Sequence, residues 1–317
     1  MNFHRLYVVI AALFLLLMCG FILRKVKIIN DGVSKGMSAL VLKVGLPAML
    51  ISSIASAEFS FEKLNHAGIM IVAGFAFHIV IAGLAYLICK PYRNLDERKV
   101  TEFSFIFTNC AFIGFPIFEA LFGEMGIFLA AFFLISFNTL VWVLGIGILS
   151  RGRSDIKLTI KKALLNFGSV PCAIGLALYI LKMPQIGLEL PSFVYECLGY
   201  LKNICTPLSV LVLGALIAKQ SPKQIFLDWR VYLFSFIKLV ALPLLMCIVT
   251  KLTHVPETYA MFLTAAAALP AASNITMMCE IYDIDASRAS LNVGASSLLC
   301  VVTLPLVLNL AQIIFDL

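Results

Sequence analysis

The sequence predicts an all-α polytopic membrane protein. Ten transmembrane helices are expected in a 5+5 inverted repeat, with the fourth and ninth helices broken. Three observations predict this. The 317 residues are 62% hydrophobic and 13% charged, with a mean hydropathy of +1.02. A soluble domain has about 45–50% apolar and about 25% charged residues. Charges, prolines and glycines then punctuate the apolar chain into ten runs, each near the roughly 20 residues needed to cross a hydrocarbon core. Finally, the two halves echo each other at an offset near 160 residues.

The runs are justified in order. Segment 1, residues 6–23, is followed by Arg24, Lys25 and Lys27 and then by more apolar chain, so it reads as a retained helix and not a cleaved signal peptide. Segment 2, 35–57, carries Lys43 and Pro47. Segment 3, 66–89, carries His78. Segment 4, 101–122, contains TNCAFIGFP at 108–116, with Asn109, Gly114 and Pro116 inside it. Segment 5, 126–149, carries Ser136 and Asn138. Segment 6 is 161–181, and segment 7, 193–218, carries Lys202 and Pro207. Segment 8, 229–251, carries Lys238. Segment 9, 257–280, contains LPAASNIT at 269–276, and segment 10 is 288–314.

Basic residues orient the chain. The loops after segments 1, 3, 5, 7 and 9 hold four, four, five, three and one Lys or Arg, which makes 17. The opposite side holds Arg5, Lys63, Lys182 and Lys251. Cytoplasmic loops collect Lys and Arg. Both termini are therefore expected outside, in a multi-pass protein of the cell membrane. The net charge of +7 follows from this topology, and no nucleic-acid partner is needed. The nine cysteines are scattered singly through apolar runs and read as small hydrophobes, not as a metal or disulfide framework.

The repeat rests on three matches. LKVGLPAML around Pro47 resembles LKNICTPLSV around Pro207. His78 answers Lys238, and Glu119 answers Glu280. Residues 1–149 form the first repeat, 150–160 a short cytoplasmic loop, and 161–317 the second repeat. Five is odd, so the second copy enters from the opposite face. Inverted repeats with interrupted helices characterise secondary transporters that bind near the membrane midplane.

The interruptions carry the site. Proline removes a backbone donor and frees a carbonyl, and groups freed in lipid must be satisfied by protein or by a polar cavity. Helix N-termini and unpaired N–H groups favour an anion. Asn109 and Asn274 each offer a side-chain amide. Thr108, Gly114, Pro116, Pro270 and Ser273 complete the two broken stretches. Ser52, Ser53, Ser56, Ser136, Asn138 and Thr276 are further candidates to line a cavity. Cations inside membrane helices are costly and mark function by default, so Lys238 and Lys43 are candidates to balance an anion. His78 and Glu280 are candidates for coupling. Each has a plainer alternative: a buried imidazole bonded to a carbonyl, a lysine paired with a carboxylate, or an interfacial carboxylate. Asp283, Asp285 and Arg288 read as a solvated turn.

The pattern Asn109, Gly114, Pro116, Ala120 and Gly123, with ALPAASN and CEIYDIDASRASLNVGASSLL (268–299) and VLGALIA (212–218), resembles the auxin efflux carrier family, the PIN-like transporters. The short loop and Thr108 in place of a plant-type proline make it similar to short bacterial members. The resemblance implies a bile acid/sodium symporter-like fold whose helices 4 and 9 cross near their prolines. It implies a scaffold of helices 1, 2, 6 and 7, through which a homodimer would form, and a transport domain of the other six. Substrates would be small organic anions such as malate, malonate or auxin-like acids.

No HExxH, Walker loop or GxSxG is present, so neither an enzyme nor a nucleotide-driven pump is expected. The reading is a secondary carrier, exporter or permease, with no cofactor and with coupling to H+ or Na+. A sodium-coupled symporter and a non-transporting membrane sensor are the alternatives.

Overall fold

The computed structural model describes residues 3–152, 169–184, 186, 187, 189–219, 228–282 and 284–315. Its helices are α1 Phe3–Lys25, α2 Asp31–Ala55, α3 Phe61–Cys89, α4 Leu95–Ile106, α5 Cys110–Phe122 and α6 Glu124–Leu149. There follow α7 Ser169–Leu181, α8 Ser192–Lys219, α9 Trp229–Leu252, α10 Glu257–Ala268, α11 Asn274–Ile281 and α12 Ser287–Phe315. Seven of them (α1, α2, α3, α6, α8, α9 and α12) are long and apolar enough to cross a membrane, and α5 and α7 are shorter apolar helices. No β-strand occurs among the described residues beyond one isolated bridge. The protein is thus an all-helical, polytopic membrane protein. Most of the 150–160 loop lies outside the described residues.

Helix starts follow local side-chain chemistry. Asn30 opens α2 by accepting from the Val33 N–H, Ser60 opens α3 by accepting from Lys63, and Asp228 opens α9 by accepting from Arg230. Such caps satisfy N–H groups that have no partner within the helix and contribute about 0.5–2 kcal/mol each. Asn94 does the same for α4, accepting from Asp96 and Glu97. Segment 4 therefore begins at Leu95, earlier than the expected 101, because LDERK is a helical first turn and not a loop.

Prolines reshape the interiors. One turn of π-helix stands two residues before a proline in three places: Val41–Gly45 before Pro47, Cys110–Gly114 before Pro116, and Ile237–Ala241 before Pro243. A proline cannot donate to the carbonyl four residues back and its ring crowds that carbonyl. Widening the preceding turn relieves the crowding without ending the helix. A fourth such turn, Val141–Gly145, has no proline after it.

The helices form two groups that also touch each other, through α5 against α1 and through α6 against α2 and α7. α1 lies along the second half of α8, and α7 and α8 pack on α2. At the α1–α8 contact a Cβ on Gly20 would stand 2.1 Å from the Leu211 carbonyl oxygen, and one on Gly214 would stand 2.0 Å from that of Leu17. Only glycine permits such backbone proximity, as is usual where membrane helices pack closely. In the second group α3 packs on α4 and α6, α9 on α10, and α12 on α4, α9 and α10. Phe103, Phe105, Phe107, Phe118, Phe132 and Phe133 are fully buried in its core, whereas Leu15, Val72 and Ile313 are exposed on helix faces suited to lipid.

Candidate functional site

The two broken segments meet at their breaks. α4 ends at Ile106 and α5 begins at Cys110, while α10 ends at Ala268 and α11 begins at Asn274. The linking residues are extended and pair with each other in an antiparallel bridge between Thr108 and Ala271. The Asn109 N–H donates to the Pro270 carbonyl at 2.8 Å, and the Ala272 N–H donates to the Phe107 carbonyl at 2.9 Å. Each break thus satisfies backbone groups freed by the other, as burial away from water requires. The Ala271 N–H donates to Ser296 Oγ on α12 at 3.1 Å, and that hydroxyl donates to the Asn292 carbonyl. Ser296 is a contributor that the sequence did not single out.

Asn109 is 4% exposed and caps the second half-helix, its Oδ1 accepting from the Phe112 N–H at 3.4 Å. Its carbonyl accepts from the Ile113 and Gly114 N–H groups, which starts the π-turn. Gly114 leaves room at the crossing, since a Cβ there would stand 2.8 Å from Leu269 Cδ1 and 2.9 Å from a Phe118 ring carbon, so those side chains would have to shift. Thr108 is fully buried, with its hydroxyl against Cys110 Sγ at 3.2 Å. Asn274, the first residue of α11, has a buried Oδ1 without a hydrogen-bond partner among the described residues.

Lys238 is 1% exposed and reaches this region from α9, where its ammonium donates to the Phe105 carbonyl at 2.7 Å. The carboxylate partner considered for it is replaced by a backbone carbonyl. His78 is fully buried, with Nδ1 on the Gly74 carbonyl of its own helix at 2.6 Å and its ring among Phe77, Phe107, Phe133 and Phe137. Its Nε2 has no partner among the described residues. This is the plainer arrangement weighed for His78.

The other candidates are less involved. Lys43 is exposed on α2, and none of the pairings at the crossing includes it. The Ser53, Ser136 and Thr276 hydroxyls donate to carbonyls within their own helices or turns, a common fate for such residues in membrane helices. Glu280 lies in α11, but its side chain falls outside the described residues, as does Asp283. The solvated turn expected around Arg288 is corrected in part. Arg288 pairs with Asp228 at 2.9 Å and Glu97 at 3.5 Å, and Glu97 also pairs with Arg230 at 3.1 Å. This network ties the first turns of α4, α9 and α12. Asp285 does stay at the surface and caps α12. Hydrogen bonds from the Ser287 hydroxyl and then its N–H hold the Asp285 carboxyl below its usual range.

Two comparisons bear on this arrangement. A family model described as membrane transport protein matches residues 6–170 and 156–308. The uncharacterized transporter MJ1031 of Methanocaldococcus jannaschii is 22% identical over 284 residues, which cover 87% of this chain and 89% of that protein. With nearly the whole sequence matched, the chain belongs to the membrane transport protein family, the group of auxin efflux carriers that its Asn109–Gly114–Pro116 motif resembles.

Proposed function

We propose that this protein is a secondary active carrier of small organic anions, such as malate, malonate or auxin-like acids, working by alternating access at the crossing of α4–α5 with α10–α11. The observation that carries the proposal is the pairing of two broken helices through Thr108 and Ala271. Asparagines open the half-helices that leave it on both sides. Half-helix N-termini carry partial positive charge and unpaired N–H groups. Asn109 and Asn274 would add side-chain amides, and the field of Lys238 would favour negative charge nearby. Thr108, Gly114, Pro116, Pro270 and Ser273 would shape the walls, and His78 and Glu280 remain coupling candidates.

On this reading all ten segments cross the membrane in two inverted repeats, with both termini outside a cell membrane. The association of α1, α2, α7 and α8 supports a scaffold, through which a homodimer would form, while the second helix group would move against it.

The test is thermal unfolding of purified protein against mono- and dicarboxylates, followed by counterflow in liposomes. A ligand that binds the folded state raises apparent stability by mass action. Stabilisation by malate or malonate that is lost in Asn109→Ala, with counterflow of the same acid, is the expected result. Binding without counterflow would instead make the protein a sensor.

A further inference from the structure

Lys238 is a fully buried lysine, and its partner indicates its task. α4 ends in the middle of the protein, and a helix C-terminus presents unpaired carbonyls and partial negative charge. Three of the carbonyls around this end have identified donors. The Phe103 carbonyl accepts from the Phe107 N–H and the Phe107 carbonyl from the Ala272 N–H. The Phe105 carbonyl between them accepts the Lys238 ammonium. That ammonium arrives from the π-turn Ile237–Ala241 of α9. No acidic side chain is recorded with it among the described residues. In secondary transporters, half-helix C-termini and unwound carbonyls are where coupling cations are held.

We propose that Lys238 acts as a tethered cation. Its ammonium supplies, at the carbonyl end of α4, the single positive charge that a bound sodium ion would otherwise supply, so the crossing holds its shape without sodium. Lys238 is then a positioning residue, acting on substrate through the Thr108–Ala271 bridge that follows Phe105 within three residues. The inference rests on the transport reading for its effect on flux, but not for its effect on the crossing itself. It also orders the alternatives for coupling, because a sodium-coupled cycle has no vacant charge to fill at this break.

The experiment measures two quantities in parallel on full-length protein: apparent Tm in detergent, and malate counterflow in liposomes. Sodium chloride is exchanged for choline chloride at constant ionic strength. Wild type should show the same Tm and flux in both salts. Lys238→Ala removes a charge-assisted hydrogen bond, so flux should fall about tenfold or more, with a lower Tm. Methylammonium chloride, which can fill the vacated ammonium position, should restore part of both, while choline should not. Lys238→Arg should retain the wild-type independence of sodium. A wild-type Tm or flux that requires sodium overturns the inference. So does Lys238→Ala behaving as wild type, or a loss that no small cation restores, which would make Lys238 a packing residue. Should malate not be transported, the transport reading fails for that acid and the Tm arm still decides. Should Lys238→Ala not fold, Lys238→Met is read in the same way, and the wild-type sodium response decides alone if neither folds.

Discussion

The Asn109 N–H donates to the Pro270 carbonyl, joining two helices broken 161 positions apart in the chain. Nitrogen and oxygen here each belong to a residue whose helix cannot serve it. Asn109 lies beyond the last turn of α4, and Pro270 lies beyond the last turn of α10. The same asparagine caps the half-helix that follows. Its main chain therefore builds the crossing, and its side chain orders what leaves it.

This double duty can be separated by substitution. Asn109→Asp keeps an oxygen to accept from the Phe112 N–H, and Asp is as good a cap as Asn. It also places a carboxylate where an anion is proposed to bind. Asn109→Asp should unfold near the wild-type temperature yet lose transport about tenfold or more, whereas Asn109→Ala should lose both transport and about 1 kcal/mol of stability. Melting curves and counterflow on the pair distinguish the roles. Equal transport by Asn109→Asp and wild type would remove the side chain from substrate binding.

Glycine substitutions should be graded by what the new methyl meets. At Gly114 it meets Leu269 Cδ1 and a Phe118 ring carbon, both side-chain atoms that can shift. At Gly214 it meets the Leu17 main-chain oxygen at 2.0 Å, and at Gly20 the Leu211 oxygen at 2.1 Å, so helices α1 and α8 must separate. Overpacking costs about 1–3 kcal/mol and more when backbone must move. Gly214→Ala and Gly20→Ala should therefore lower Tm well beyond Gly114→Ala. Gly114→Ala should act mainly on transport, because its crowding falls at the crossing. A ranking by thermal unfolding in one detergent is sufficient to check this.

The Arg288 cluster makes a different expectation. Arg288 holds Asp228 and Glu97, while Arg230 also holds Glu97, and these four residues begin three helices of one group. Their side chains range from 12% to 48% exposed, so salt screens the outer pair more than the inner. Arg288→Ala should lower Tm measurably, and Arg230→Ala by less. High salt should narrow the gap between wild type and Arg230→Ala. An Arg230→Ala loss that equals or exceeds that of Arg288→Ala would contradict the assignment of the inner pair as the stronger tie.

Much of this architecture was legible from residue order because lipid imposes length and apolarity on each run. The breaks were legible too, since Pro116, Gly114 and Asn109 in one segment, and Pro270 and Asn274 in another, each oppose a continuous apolar helix. What could not be read were partners chosen by folding. Lys238 finds a carbonyl 133 residues away, and a carbonyl has no side-chain signature. Arg288 looked solvated because its neighbours Asp283 and Asp285 are acidic, yet its ion partners come from two other helices. Hydropathy falls across LDERK, which hides the start of α4 at Leu95. The Asn94 cap and the acidic first turn were the signal that would have found it.

The pair Glu102 and Arg151 offers the sharpest test of packing at the end of the bundle where α4 begins. Glu102 has 1% of its side chain exposed and accepts two hydrogen bonds from Arg151, at 2.6 and 3.0 Å. Arg151 is 35% exposed and lies over the Tyr86 ring. Removing the arginine alone strands a buried carboxylate, which costs about 3–5 kcal/mol where burial is complete. The exposed half of this pair places Arg151→Ala at the lower end. Removing the charge from both partners, as in Glu102→Gln with Arg151→Met, leaves no stranded ion and should recover most of the loss. A double-mutant cycle on apparent Tm reads the coupling directly. Additive losses would show that α4 and α6 are held by their apolar contacts, with the ion pair contributing little.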